Sequence, residues 1–206
     1  SIMNKDHGSR GRPANGDNQP VIRVPWLRAV DFCRWLSDES GRTFSLPTEA
    51  QWEWACRAGT ATPLSYGSPD TDFSKLANLA DTDLTQLCIR DSPKWIPAVG
   101  SVSDGAVVTT DVGRYGKPNP WGLHDMHANV AEWTLTTYKP YPYAADGRNE
   151  ASDEGSKVAR GGSYYDRPHR ARSAARHSYL PWQCVHNVGF RVVCPVEEGK
   201  TVAAAR

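Results

Sequence analysis

Apolar residues recur at three- and four-residue spacings through Trp26, Ala29, Val30, Phe32, Cys33, Trp35 and Leu36. That is the period of an amphipathic helix, and Gly41 predicts its end. A second helix is predicted after Leu46. Pro47 suits its first position, Thr48 or Ser45 its cap, and Trp52, Trp54, Ala55 and Ala58 follow until Gly59 stops it. Residues 21–24, 157–165 and 188–193 read as short strands, and residues 121–138 as an apolar, aromatic stretch with polar residues inside it. Between residues 60 and 120 periodicity fades into turns such as Ser68-Pro69-Asp70 and Lys117-Pro118-Asn119-Pro120. So long a loop region inside one domain is unusual, and its Asp and Asn side chains would suit a bound metal. The pattern predicts an α+β fold with two helices, a small sheet and much irregular structure. Residues 1–20 form an irregular arm, 21–195 the domain and 196–206 a disordered tail.

The length of 206 residues fits one domain. The hydrophobic fraction is 39%, and eight Trp and eight Tyr supply much of the core area. No apolar run approaches the length of a membrane span. The five cysteines, Cys33, Cys56, Cys88, Cys184 and Cys194, contain no CxxC and do not indicate a disulfide framework. The chain starts at Ser1 without Met and reads as a fragment of a larger protein; an extracytoplasmic compartment is slightly favoured.

The net charge of +1 conceals an asymmetry. Residues 157–191 carry +6, the tail is balanced, and the first 156 residues carry −5. Two expectations follow. The late basic residues attract anions, or they pair with acids of the first half, as Arg does readily. The second expectation names Arg172, Arg176 and Arg191 as scaffold arginines opposite Glu49, Glu53 or Glu132. No nucleic-acid partner is expected. His124, His127, Cys184 and His186 lack the spacing of a zinc site.

Four stretches in order resemble one superfamily, the formylglycine-generating (sulfatase-modifying) enzymes. They are Leu46-Pro47-Thr48-Glu49-Ala50-Gln51-Trp52-Glu53-Trp54, Asn129-Val130-Ala131-Glu132-Trp133, Arg160-Gly161-Gly162-Ser163 and Gly189-Phe190-Arg191. The resemblance implies a variant of the C-type lectin fold with a small twisted antiparallel sheet. It also implies oxidation of a sulfatase cysteine to formylglycine by a copper cofactor on two cysteines that follow the Gly-Gly-Ser. The matching stretch, residues 164–172, contains no Cys, and Asp166 stands where the first would be. A copper(I) site of that type needs soft thiolates, so copper is not expected. The resemblance further implies structural calcium at two places, one at Asp125, Ala128, Val130 and Glu132, the other at Asn78, Leu79, Asp104 and Ala106. Carboxylates with backbone carbonyls suit that ion. It also allows a Cys33–Cys194 disulfide, although Cys194 is displaced from the family position; Ser173 stands opposite Cys56.

Three functions compete. The first is a ligand-binding or accessory module, with Tyr164, Tyr165, Asp166, Arg167, His169, Arg170, Tyr179 and Trp182 as the surface and an anionic glycan or peptide as ligand. The loops 164–170 and 177–186 are its exposed candidates. The second is a retroelement-diversified variable binding protein, which the Gly-Gly-Ser-Tyr to Gly-Phe-Arg pattern also resembles. The third is an enzyme of the same family with non-cysteine chemistry.

Overall fold

The computed structural model describes residues 8–9, 11–14, 16–88 and 98–196. Strands β1 (Gly8–Ser9) and β2 (Arg12–Pro13) form a minimal antiparallel hairpin in the N-terminal arm. Helix α1 runs Trp26–Ser40 and α2 Glu49–Arg57. Strands β3 (Ala131–Thr137), β4 (Lys157–Arg160), β5 (His177–Tyr179) and β6 (Val188–Phe190) build one sheet in the order β5-β4-β3-β6. Two of its pairings are antiparallel, and β3–β6 is parallel. The long excursion between β3 and β6 permits the parallel pairing, which no short turn could make. The run at residues 21–24 forms no strand. Residues 11–14 and 16–20 dock on the domain: Ala14 is buried with Ile22 and Val130, and Gln19 Nε2 donates to the Thr109 carbonyl. Of the expected tail, residues 197–206 lie outside the described residues.

Helix α1 buries Trp26, Ala29, Val30 and Cys33, one stripe at helical spacing. Trp35 falls off that stripe and is exposed. Gly41 ends the helix in the left-handed region (φ 66°), its N–H donating to Ser37 O at 2.9 Å. Helix α2 opens with a capping box. Thr48 Oγ1 accepts from Gln51 N, and Gln51 Oε1 accepts from Thr48 N at 2.9 Å. Pro47 therefore precedes the cap rather than sitting at the first helical position. Ala58 and Gly59, both at positive φ, turn the chain out of the helix.

The main core joins α1 to the sheet through Trp26, Cys33, Leu46, Trp133, Ala159 and Val188. Its two tryptophans do more than fill volume. Trp26 Nε1 donates to Thr134 O at 2.7 Å and Trp133 Nε1 to Val24 O at 2.9 Å, so each pins a neighbouring segment while burying its ring. Gly189 is required by packing: a Cβ there would overlap the Val21 carbonyl and touch Val130.

Candidate functional site

Three of the late arginines are committed to the scaffold, each bridging to an acid earlier in the chain. Arg176 grips Glu49 with Nε and Nη2, both at 2.7 Å, and lies between the Tyr138 and Tyr141 rings. Arg191 grips Glu132 at 2.6 Å through both Nε and Nη2. Arg160, fully buried, meets Glu53 and donates to the carbonyls of Ala175 and Ser173. The expected scaffold role holds for Arg176 and Arg191. Arg172 is instead exposed, its Nε donating to His169 O, and Arg160 takes the third pairing.

The segment after the Gly-Gly-Ser folds around Asp166. Glycines 161 and 162 adopt φ 93° and 69°, and a Cβ on Gly162 would sit 2.9 Å from the Ala171 backbone. This tight approach turns the chain so that Ser163 Oγ donates to Asp166 Oδ2 at 2.7 Å and Arg170 Nε to Asp166 Oδ1 at 2.6 Å. Asn187 Nδ2 donates to Ser163 Oγ, while its own Oδ1 is buried without a partner. Arg170 also donates to His177 Nδ1, and His177 Nε2 donates to Arg170 O, which keeps that ring neutral; burial lowers its pKa. Burial, reinforced by the Asp166 charge, raises the Tyr179 phenol.

The predicted surface residues therefore divide. Tyr164 is buried in the core with Ala80, Leu84 and Val108. Asp166 is nearly enclosed, and Tyr179 is half-buried with its ring 5.9 Å from Trp133. Tyr165 is half-buried, its ring 5.4 Å from exposed His186. Trp182 and Arg170 are exposed. Arg167 and His169 line a groove of about 540 Å³. Segment 69–73 and residues 98, 99, 101 and 102 form its other walls. Asp70 and Asp72 lie on the wall that Arg167 and His169 do not supply. None of these four charged or titratable side chains takes part in an ion pair among the described residues. The Asp70 and Asp72 contribution escaped the sequence reading, because the irregular 60–120 region gave no sign of what it approaches. The groove is tied to Asp166 through one residue: Ala80 N donates to Asp166 O, and Val99 N donates to Ala80 O at 2.8 Å.

The two places named for calcium differ in what they offer. At the first, Glu132 is engaged by Arg191 and also accepts from Trp52 Nε1 at 2.6 Å. Asp125 Oδ2 accepts from Gly113 N, and burial raises its pKa. Asp125, Ala128 and Asn129 all have positive φ, so the backbone there is sharply turned. At the second, Asn78 is buried and its Oδ1 has no partner among the described residues. The amide orientation is fixed, since Nδ2 donates to Val108 O at 2.8 Å. Asp104 accepts from Leu79 N and Ala106 N. Burial, with Asp81 and Asp83 nearby, pushes its carboxyl up to about 7. An unsatisfied buried oxygen on Asn78, next in sequence to the Leu79 amide that binds Asp104, and a carboxylate short of positive charge fit an oxygen-seeking cation.

The buried thiols, Cys33 and Cys56, are inert. Cys56 Sγ lies 3.5 Å from His127 Nε2 and 3.6 Å from Ser173 Oγ. Burial drives that thiol up to about 12 and lowers His127 to about 4, so no thiolate–imidazolium pair forms. His127 Nδ1 donates to Ala171 O, and Ser65 N donates to its Nε2, a structural bridge between loops. Cys33 and Cys194 are both free thiols, so the allowed disulfide is not formed.

Comparison with known proteins agrees with this architecture. The family model described as "Sulfatase-modifying factor enzyme 1-like domain" matches residues 2–196. A formylglycine-generating enzyme of Mycobacterium tuberculosis is 32% identical, covering 90% of this chain and 60% of its own length. "Inactive C-alpha-formylglycine-generating enzyme 2" of Bos taurus is 30% identical, covering 84% and 49%. The chain thus spans about half the length of these relatives. Among solved structures, PvdO from Pseudomonas aeruginosa superposes with a TM-score of 0.71 at 26% identity, covering 90% of this chain and 66% of that one. With the two helices, the small sheet and the four motifs in place, the chain belongs to the sulfatase-modifying factor enzyme 1-like family.

Proposed function

We propose that this domain is a calcium-stabilised ligand-binding or accessory module of a longer protein, without the family's copper oxidase chemistry. The observation that carries the reading is the contrast between two sets of charged side chains. Arg160, Arg176 and Arg191 are used up by Glu53, Glu49 and Glu132. Arg167, His169, Asp70 and Asp72 line a groove and form no ion pair among the described residues. Copper does not fit the place after the Gly-Gly-Ser. Its side chains are Asp166, Ser163 and Arg170, hard oxygen donors and a cation, where copper(I) needs thiolates. Calcium fits better at Asn78, Leu79, Asp104 and Ala106, and at Asp125, Ala128, Val130 and Glu132 with Glu132 shared with Arg191. The relative described as inactive shows that a family member need not carry the oxidase activity. The groove suits an anionic glycan or peptide, held by Arg167 and His169.

The test is a glycan and peptide array probed with and without chelator. The expected result is binding to anionic probes that Arg167→Ala abolishes; a blank array in calcium overturns the reading. A second reading, an enzyme with altered chemistry, is favoured by Tyr165 and His186, whose rings meet edge to face, and by the adjoining Asn187, whose buried Oδ1 has no partner among the described residues. Consumption of any probe, lost in Tyr165→Phe, would replace the first reading with the second.

A further inference from the structure

The groove beside Arg167 is lined by charges of both signs. Arg167 and His169 come from one segment, Asp70 and Asp72 from another. All four are exposed, and none forms an ion pair with another across the groove. Lys75 acts on Asp72 but does not line the groove. The remaining lining is largely apolar. Phe73 and Pro168 are buried, and Val99 and Val102 pack against the cluster of Leu64, Leu79 and Ala171. The volume of about 540 Å³ falls within the span of small-ligand sites, about 300–1,000 Å³.

Local hydrogen bonds hold each charged segment in shape. Thr71 N donates to Ser68 O and Ser68 N to Thr71 Oγ1, both at 3.1 Å, which closes the turn that carries Asp70. Asp70 N donates to Ser68 Oγ at 3.2 Å. Asp72 Oδ1 accepts from Ser74 N at 2.9 Å, and bonding to Ser74 holds that carboxyl below its ordinary value, so it is charged at neutral pH. Arg167 stands just before the short 3₁₀ helix Pro168–Arg170 and donates through Nη2 to Ala98 O at 3.5 Å. Val99 is fixed in turn by its N–H on Ala80 O at 2.8 Å. Asp70, Asp72 and Arg167 thus keep polar atoms for a ligand. A site shaped in advance loses little entropy on binding.

We infer that the groove takes a zwitterion, its carboxylate held by Arg167 and His169, its ammonium or guanidinium by Asp70 and Asp72, and a short apolar link lying between. The inference rests on the anion-binding reading of Arg167 and His169 and adds a cation to the ligand. A purely anionic ligand would bring its charge near two carboxylates, and a purely cationic one near Arg167. Only a ligand of both signs complements both segments, since like charges brought together oppose binding. Two sources share this chemistry: a free amino acid whose amine and carboxylate lie at opposite ends, and a peptide segment that carries Lys or Arg close to Asp or Glu.

Calorimetry at low salt is the test. The probes are linear amino acids from β-alanine to ε-aminocaproate and the capped peptide acetyl-Lys-Gly-Glu-amide. Each is compared with the form whose amine is acetylated, which keeps the carboxylate and loses the cation. The expected result is a zwitterion that binds about fivefold or more tighter than its acetylated form, the reach of exposed ion pairs. That advantage should fall below about twofold in the Asp70→Asn, Asp72→Asn double variant and shrink as salt is raised. Both aspartates are exposed, and Asn keeps an oxygen for Ser74 N, so the variant retains the fold. The series that shows the advantage, amino acid or peptide, identifies the source. Equal affinity of the two forms overturns the inference and leaves the anion-binding reading standing. An advantage that survives the double variant overturns it too. Binding of neither form overturns both.

Discussion

Replacing Glu132 by Gln tests the best-defined electrostatic contact of the fold. Its side chain is 7% exposed on strand β3, and it accepts three hydrogen bonds at 2.6 Å, two from Arg191 and one from Trp52. Glutamine keeps the shape but turns one oxygen into a donor facing an N–H, and it leaves the partly buried Arg191 guanidinium without its ion-pair partner. Breaking a buried pair from one side costs about 3–5 kcal/mol. For a domain of this size each kcal/mol lowers the melting temperature by roughly 2–4 °C, so a fall of about 6–20 °C is expected. Urea unfolding gives the free energy directly, and an unchanged slope confirms that the folded state survives. Removing both charges, Glu132→Gln with Arg191→Met, should recover part of the loss, since an uncompensated charge is worse than none. A loss below about 1 kcal/mol, against the buried-pair cost just cited, would refute the argument. So would a loss that appears only with calcium present, because it would assign the carboxylate to a cation rather than to Arg191.

Three further outcomes follow. Gly162→Ala should lower stability by about 2 kcal/mol or more, read by urea unfolding, because a left-handed residue gains a Cβ that presses on the Ala171 backbone. His127 is held neutral at a pKa of about 4, below its unfolded value. The unfolded chain thus binds the extra proton between pH 6.5 and 4, and stability falls as pH falls through that window, by up to about 3 kcal/mol. Urea midpoints for wild type and His127→Gln across that range check this: the variant is less stable throughout but should show a shallower decline. Asp70→Asn should leave binding of an anionic probe unchanged or tighten it up to about threefold by removing a like charge from the groove, as measured by calorimetry; a tenfold loss would place the ligand's contacts on the opposite wall.

The helices were legible because their signals are local. Apolar spacing and Gly41 bounded α1, and Thr48 with Gln51 closed the start of α2. The charge asymmetry foretold that late arginines would meet early acids. It did not foretell which, because Arg160 reaches Glu53 across 107 positions and Arg172 turns back on His169. Strand β5 is three residues long and carries no period to read. The parallel β3–β6 pairing depends on where a long excursion returns. In the site, Tyr164 looked like its neighbour Tyr165 in sequence; only packing against Leu84 and Val108 separates the buried ring from the half-exposed one. The acids at 70, 72, 81 and 83 lie in turns without periodicity, and their company is fixed by tertiary contacts such as the Ala80–Asp166 and Ala80–Val99 hydrogen bonds.

The central claim is that this family member binds a ligand and does not oxidise a peptidyl cysteine. The most direct measurement incubates the protein with a sulfatase-derived cysteine peptide, copper(I), oxygen and a thiol reductant, and follows the peptide by mass spectrometry. The account predicts an unchanged thiol at full incubation. Conversion of that cysteine to formylglycine would contradict it.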